Sequence, residues 1–216
     1  MKMRYFFAGL LMLTLTLGCF SNTYATAKTE HSVSMVKNFI QVPLARQNTD
    51  YTCGVAALQS ILGYYGFDKR LDVLSDAVKP DPENGTGYMN IINYAKSLGF
   101  NVTTRTNMSL EELKGYIDKK QPVLVVIQAW DDSKSNYAPN KNEDGHYVVA
   151  IGYDDKYFYF MDPSTLGHYT YIPTAEFISR WHDYDSFSNE VLTQVGIIMT
   201  KPITSPYNPD EIISLD

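Results

Sequence analysis

Two almost uninterrupted apolar runs, 122–127 (PVLVVI) and 146–153 (HYVVAIGY), constrain the fold of this chain more than any other feature. A strand with one wet face alternates apolar and polar residues, whereas a run without that alternation belongs to a strand covered on both faces. The chain must therefore build a sheet with structure packed on each side of it. Residues 157–161, 168–172 and 191–199 supply further strands, and 100–106 adds a short β-branched one upstream. The connections between the later strands are short, which predicts mostly antiparallel pairing.

The material to cover that sheet comes first in the chain. Helices are predicted over 53–65, ended by Gly66, and over 71–78, closed by Lys79-Pro80-Asp81-Pro82, which no helix can traverse. A third runs over 88–98 with Gly99 as its cap, and a fourth starts at the capping box Ser109-Leu110-Glu111-Glu112 and reaches about Asp118. Residues 39–44 (FIQVPL) read as a short strand or extended segment. Helices first and strands later imply an α+β arrangement, with the first helix packed on the sheet. Its Val55, Leu58, Ile61, Leu62 and Tyr65 recur at three- and four-residue spacing, the mark of an amphipathic helix. A length of 216 residues with 44% hydrophobic content suits one ordinary globular domain.

The first 27 residues have the layout of a secretory signal: Lys2 and Arg4, an apolar run over 5–17, and Ala25-Thr26-Ala27 as an A-x-A cleavage site. The run is too short for a permanent membrane span. Leu15-Thr16-Leu17-Gly18-Cys19 also resembles a bacterial lipoprotein box, with Thr16 where leucine is usual, so a lipid anchor at Cys19 is the alternative to cleavage after Ala27. Both readings export the protein to the periplasm or beyond. The expected division is a signal over 1–27, a flexible lead-in over 28–38, a domain over 39–204 and a tail over 205–216. Cleavage removes Lys2 and Arg4 and no acid, taking the net charge from −6 to −8. An acidic domain without a Lys/Arg stripe does not suit nucleic acid.

Export also changes how Cys53 reads. With Cys19 cleaved off or lipidated, Cys53 has no intramolecular partner, and a free thiol in an oxidising compartment is a liability unless it is used. Cys53 opens the first predicted helix, where the positive end of the dipole favours thiolate. Gly54 behind it permits close backbone approach, and Gln47, six residues upstream, carries an amide that could donate to a developing oxyanion. The alternative is a small buried hydrophobe.

A cysteine nucleophile needs a base, and the base needs a group to orient it. His31 lies in the polar lead-in, and the sequence identifies no partner for His168 or His182. His146 differs, since it follows Asp144-Gly145 and opens an apolar strand beside the aperiodic insert 130–145, which is expected at the rim of its site. If 146–153 and 157–161 form a hairpin through Asp154-Asp155-Lys156, Tyr153 faces Lys156 or Tyr157 and His146 comes roughly level with Asp162 or Pro163. Asp162 then either holds the imidazole or caps the 163–167 turn. The oxygen-rich insert matches no EF-hand spacing, and no metal or other cofactor is expected.

Three blocks, Q-x5-C-G before an alanine-rich helix, GHYVVAIGYD over 145–154 and FMDPSTLG over 160–167, occur in an order that resembles peptidase family thirty-nine. These are papain-like cysteine peptidases that include the double-glycine leader peptidases of bacteriocin exporters; the resemblance spans 42–199 and is nearer to stand-alone exported members. It implies a papain-like fold, a peptide or protein substrate, Cys53 as nucleophile, His146 as general base and acid, Asp162 as its orienting group and Gln47 as oxyanion donor. Unlike the exporter members, this chain shows no transporter, so their substrate does not transfer. An acyl transferase on the same residues, of transglutaminase-like or phytochelatin-synthase-like type, is the alternative enzyme, and a binding module keeping the shell without turnover is the alternative outside catalysis.

Overall fold

The computed structural model describes residues 31–36, 38–130, 137–138, 142–203 and 205–215. The signal-like segment 1–27, Cys19 within it, and most of the 130–145 insert lie outside them. Within the unit Ser32–Asp216, the helices are α1 (Cys53–Tyr64), α2 (Leu71–Val78), α3 (Tyr88–Ser97), α4 (Leu110–Asp118) and α5 (Thr174–Arg180). The strands are β1 (Asn101–Arg105), β2 (Val123–Gln128), β3 (Gly145–Tyr153), β4 (Tyr157–Met161), β5 (Thr170–Pro173), β6 (His182–Asp185), β7 (Glu190–Thr193) and β8 (Gly196–Thr200). Six of them form one sheet in the order β1-β8-β2-β3-β4-β5, and every neighbouring pair is antiparallel. β6 and β7 pair separately as a ribbon. The architecture is papain-like α+β.

The two apolar runs lie at the centre of the sheet, as their composition demands. Every residue of β2 is buried, and β3 is buried from His146 to Gly152. α1 and α4 pack against β3, and α5 packs against β2, β4 and β5. α4 begins at the expected capping box: Glu112 N donates to Ser109 Oγ (3.1 Å), and Ser109 N donates to Glu112 Oε2 (2.9 Å).

α1 departs from the amphipathic expectation, because it is buried almost all round. Val55, Ala56, Ala57, Leu58, Ser60, Ile61 and Leu62 have no exposed area. α2 and α3 pack on it as well as β3, and the residues between the large apolar ones are small enough to let them approach. Ser60 satisfies its hydroxyl by donating to Pro43 O at 2.6 Å. Gly54 shows how tight this contact is: a Cβ there would lie 2.8 Å from Thr86 Cβ.

Residues 39–44 run extended without joining the sheet; Ile40 N donates to Ile151 O at 2.7 Å, at the bulge that interrupts the β3/β4 ladder. The expected strand over 191–199 is two strands, β7 and β8, because Gln194 sits at φ 46° between them. That left-handed residue turns the chain from the ribbon into the sheet, where β8 inserts between β1 and β2. Upstream, Val33–Met35 form a 3-10 turn and Val36 is buried, within the segment expected to be a flexible lead-in. α5 and β6 have no counterpart among the predicted elements.

Two glycines test this packing in opposite directions. Gly54→Ala is expected to lower the urea midpoint, costing about 1–3 kcal/mol, because Thr86 blocks the added methyl. Gly115→Ala, inside α4 with nothing within 4 Å of the new Cβ, should raise stability by about 0.5–1 kcal/mol. Equal midpoints for the two variants would show that the Gly54 contact is not tight.

Candidate active site

Cys53 is the first residue of α1, and the loop before it is tied to the sheet rather than to the helix. Thr52, the N-cap, does not cap α1 with its side chain; its hydroxyl turns back and accepts from Asn48 N (3.3 Å) and Thr49 N (3.2 Å). The leading N–H groups of α1 therefore stay without a side-chain cap at the point where Cys53 sits. Gln47 N donates to Pro163 O (3.1 Å) and Arg46 Nη1 to Ser164 O (2.6 Å), docking this loop on the turn that follows β4. Thr86 Oγ1 donates to Tyr51 O at 3.0 Å and holds the loop from the α3 side.

His146 enters from β3, opposite Ile127, and is 2% exposed. Its Nε2 lies 2.8 Å from Asp162 Oδ1, and Cys53 is near enough to favour the charged ring. With Nε2 turned to Asp162, the nitrogen left for the thiol is Nδ1. Burial works against a charged imidazole here, yet the Asp162 bond and the nearness of Cys53 more than offset it and raise His146 from 6.5 to about 9. The Trp130 ring covers the imidazole, with centroids 4.8 Å apart, while Trp130 itself is 53% exposed. Trp130 is thus held at the rim, at the start of the insert.

Asp162 performs both of the roles that its sequence context allowed. Its Oδ1 accepts from Ser164 N (2.8 Å) and Ser164 Oγ (2.7 Å) as well as facing His146, and its Oδ2 accepts from Thr165 Oγ1 (3.0 Å). Burial alone would raise this carboxyl; the His146 and Ser164 bonds win and lower it to about 2. The hairpin expectation holds, with a shifted register. Asp154 closes the turn by accepting from Lys156 N and Tyr157 N, so Tyr153 pairs with Phe158, and the bulge between Ala150 and Gly152 takes the register one step back. Val149 pairs with Met161; one step on, Asp162 is level with Val148, and Ser164 rather than Asp162 is level with His146. His146 and Val148 share a face of β3, so the Asp162 contact is a diagonal one.

Gln47 is placed in the loop ahead of Cys53, but its side chain is not bonded to the His146 and Asp162 pair. Its Nε2 donates to Thr49 O at 3.0 Å, and its Oε1 is buried without a partner. His168 is exposed, and His182 is buried on β6.

The sequence reading missed a second polar arrangement next to this one. Gln128, buried at the end of β2, donates from Nε2 to Asp183 Oδ1 (2.9 Å) and to His182 O (3.3 Å), and its Oε1 accepts from Asp144 N (3.1 Å). The Asp183 carboxylate occupies the space a Cβ at Gly145 would need, which is the reason for glycine directly before His146. A polar residue closing the apolar run over 122–127 was the available signal. Arg180 of α5 pairs with Glu176 and donates to Ala129 O (2.6 Å), anchoring the chain next to Trp130. Among the described residues, no group of His, Cys, Asp and Glu is arranged to hold a metal ion, and no helix is long and apolar enough to cross a membrane.

Comparison with known proteins agrees with this geometry at the level of family and fold. The family model of the Peptidase_C39 like family matches residues 39–189. The Bacillus subtilis protein YvpB is 29% identical over 143 residues, covering 51% of this chain and 57% of YvpB, so the chain spans little more than half of that relative. The peptidase domain of Streptococcus ComA, a bi-functional ABC transporter involved in quorum sensing, superposes with a TM-score of 0.55 at 22% identity, covering 74% of this chain and 97% of that domain. A C39-like peptidase from Bacillus anthracis does so with a TM-score of 0.58 at 19% identity, covering 78% of this chain and 98% of the other. At these identities the structural likeness is one of fold, and the family match carries the assignment: the chain belongs to the Peptidase_C39 like family.

Proposed function

We propose that this chain is an exported cysteine peptidase in which Cys53 is the nucleophile, His146 the general base and acid, and Asp162 the group that orients and charges His146. The observation that carries the reading is the His146 imidazole, with Nε2 at 2.8 Å from Asp162 and Cys53, at the head of α1, acting on the same ring. A raised His146 and a lowered Asp162 favour an imidazolium held on the Asp162 carboxylate beside Cys53.

In this reading the Cys53 sulfur attacks the peptide carbonyl carbon, forming a C–S bond while the carbonyl π pair moves onto oxygen. The backbone N–H of Cys53, left uncapped by Thr52, and the amide hydrogen of Gln47 not used on Thr49 donate to that oxyanion. His146 Nδ1 delivers its proton to the leaving amine as the C–N bond breaks. Water, deprotonated by the same nitrogen, then displaces the thiolate and releases the acid. Trp130 and the burial of His146 keep bulk water from the imidazolium during the first half.

His146→Ala should remove about two to four powers of ten from kcat per folded molecule on a cleaved peptide, the range for a general base. Asp162→Asn should lower both kcat and melting temperature, since the same oxygens serve His146 and the Ser164-Thr165 turn. Full activity in His146→Ala ends the proposal.

The pair also predicts a stability profile. A group raised from 6.5 to about 9 stabilises the fold fully below pH 6.5 and loses that contribution as pH rises through about 9. A group lowered from 3.8 to about 2 contributes above pH 3.8 and loses it as pH falls through about 2. The unfolding free-energy difference between the native chain and Asp162→Asn should therefore be flat between these ranges and shrink toward pH 9. A difference unchanged from pH 6.5 to 10 contradicts a charged pair.

For export, intact mass of the processed protein should place the N-terminus at Lys28. A lipidated Cys19 start selects the anchored form instead, and Met1 retained in the cytoplasm overturns export.

A further inference from the structure

We propose that Gln128 and Asp183 are positioning residues for His146, closing the end of the β2/β3 ladder so that the imidazole stays aligned with Asp162 and Cys53. This deepens the reading of His146 as general base and rests on it for its kinetic consequence.

His146 needs such support because its strand is paired on one side only where the ring is carried. The β3/β4 ladder reaches no nearer to it than Val149, opposite Met161, so Gly145, His146, Tyr147 and Val148 have β2 alone as their neighbour in the sheet. Asp162, the residue after β4, turns in on the unpaired side to meet the ring. On the β2 side the ladder runs a single pair past His146, Gln128 with Gly145, before the chain passes into the insert. Strand ends of this kind fray unless something ties them, and a ring one residue from the end moves with it.

Two side chains tie it. Gln128, 3% exposed, adds a bond beyond the last pair: its Oε1 accepts from Asp144 N at 3.1 Å, beside the backbone bond from Ala129 N to Asp144 O at 2.9 Å. Its Nε2 donates to Asp183 Oδ1 at 2.9 Å and to His182 O at 3.3 Å, so the oxygen and both hydrogens of the amide are used. The other oxygen of the same carboxylate lies against Gly145, in the space a Cβ would fill. Asp183 therefore touches both members of the terminal pair, one by a hydrogen bond and one by contact. The carboxylate is itself anchored, since β6 pairs with β7 and Trp181, just before β6, donates from Nε1 to Val195 O at 2.9 Å. A buried amide with every polar atom bonded keeps one orientation, and cutting it loose leaves its partners unpaired. The charges that raise His146 are those of Cys53 and Asp162, so the Gln128 bond, and not the charge of Asp183, is what should matter.

Gln128→Met keeps the length and loses the amide, Asp183→Ala loses the acceptor, and Asp183→Asn keeps an acceptor oxygen without the charge. The readouts are kcat and KM per folded molecule on a cleaved peptide, and the titration of the His146 ring by NMR, assigned by its absence in His146→Gln. Gln128→Met and Asp183→Ala should each lose about ten- to a hundredfold in kcat with KM unchanged, the scale of a misplacement of about 1 Å. In both, His146 should titrate at lower pH than in the native chain, since a looser ring bonds Asp162 less well. Asp183→Asn should restore native kcat and native titration. The double variant should be no worse than the worse single one, because both cut the same tie, and losses that multiply overturn the proposal. Lower melting temperatures with native kcat and native His146 titration overturn it in favour of packing alone, and an Asp183→Asn as impaired as Asp183→Ala overturns it in favour of charge. Gln128→Asn, one carbon too short to reach both partners, carries the same test if Gln128→Met does not fold. If the native chain cleaves no peptide, the peptidase reading fails and the titration still decides this one: a His146 midpoint unmoved by loss of the Gln128 amide overturns it.

Discussion

Burial of α1 between the sheet and the other N-terminal helices is the constraint on which the rest of this structure depends. A twelve-residue helix is marginal by itself in water, so its existence rests on tertiary packing. Each of Val55, Leu58, Ile61 and Leu62, fully buried, contributes roughly 1.5–3 kcal/mol of transfer free energy. That contribution offsets the conformational entropy of ordering a helix start that carries Cys53 and N–H groups without a side-chain cap. The strain-free rigidity of the helix then lets the preceding loop be specialised, and its bonds run outward to Pro163 and Ser164.

The two carboxylates near Cys53 have opposite environments. Asp162 is surrounded by donors, from His146, Ser164 and Thr165, and its carboxyl is lowered to about 2; Asp183 is enclosed with Asp185 nearby and raised to about 6. Such separation of like groups by environment is how one site assigns them different tasks. Asp162 bonds the imidazole, and Asp183 bonds Gln128. Gly145 and His146 connect the two, since the glycine yields its Cβ space to Asp183 and the next residue reaches Asp162.

A buried ion pair such as His146 with Asp162 adds little net stability, because desolvation consumes most of the attraction. What it secures is orientation. Nε2 is committed to Asp162, which leaves Nδ1 for Cys53, and Trp130 tilted against the ring at the rim reduces the ways it can turn. The supports of this arrangement, Arg180 on Ala129 and the α5 helix that carries it, contact no reacting group, yet they hold the rim in place.

Local patterns in the sequence were enough for the helices at Leu71–Val78 and Leu110–Asp118, the β4 strand and the buried character of β2 and β3, because propensity, capping and burial period are short-range properties. The motif order likewise singled out Cys53, His146 and Asp162, of which His146 and Asp162 bond at 2.8 Å with Cys53 beside them. Tertiary structure alone decided that α1 is buried on nearly all sides, that β8 returns from the C-terminus to lie between β1 and β2, and that Gln194 breaks what reads as one strand. It also decided the hairpin register, through a bulge at Ile151 that meets Ile40, and the placing of Asp183 against Gly145 from a ribbon that no periodicity announces. These depend on contacts between residues far apart in the chain, and a sequence read by neighbouring residues carries no energy term for such contacts until the fold has closed them.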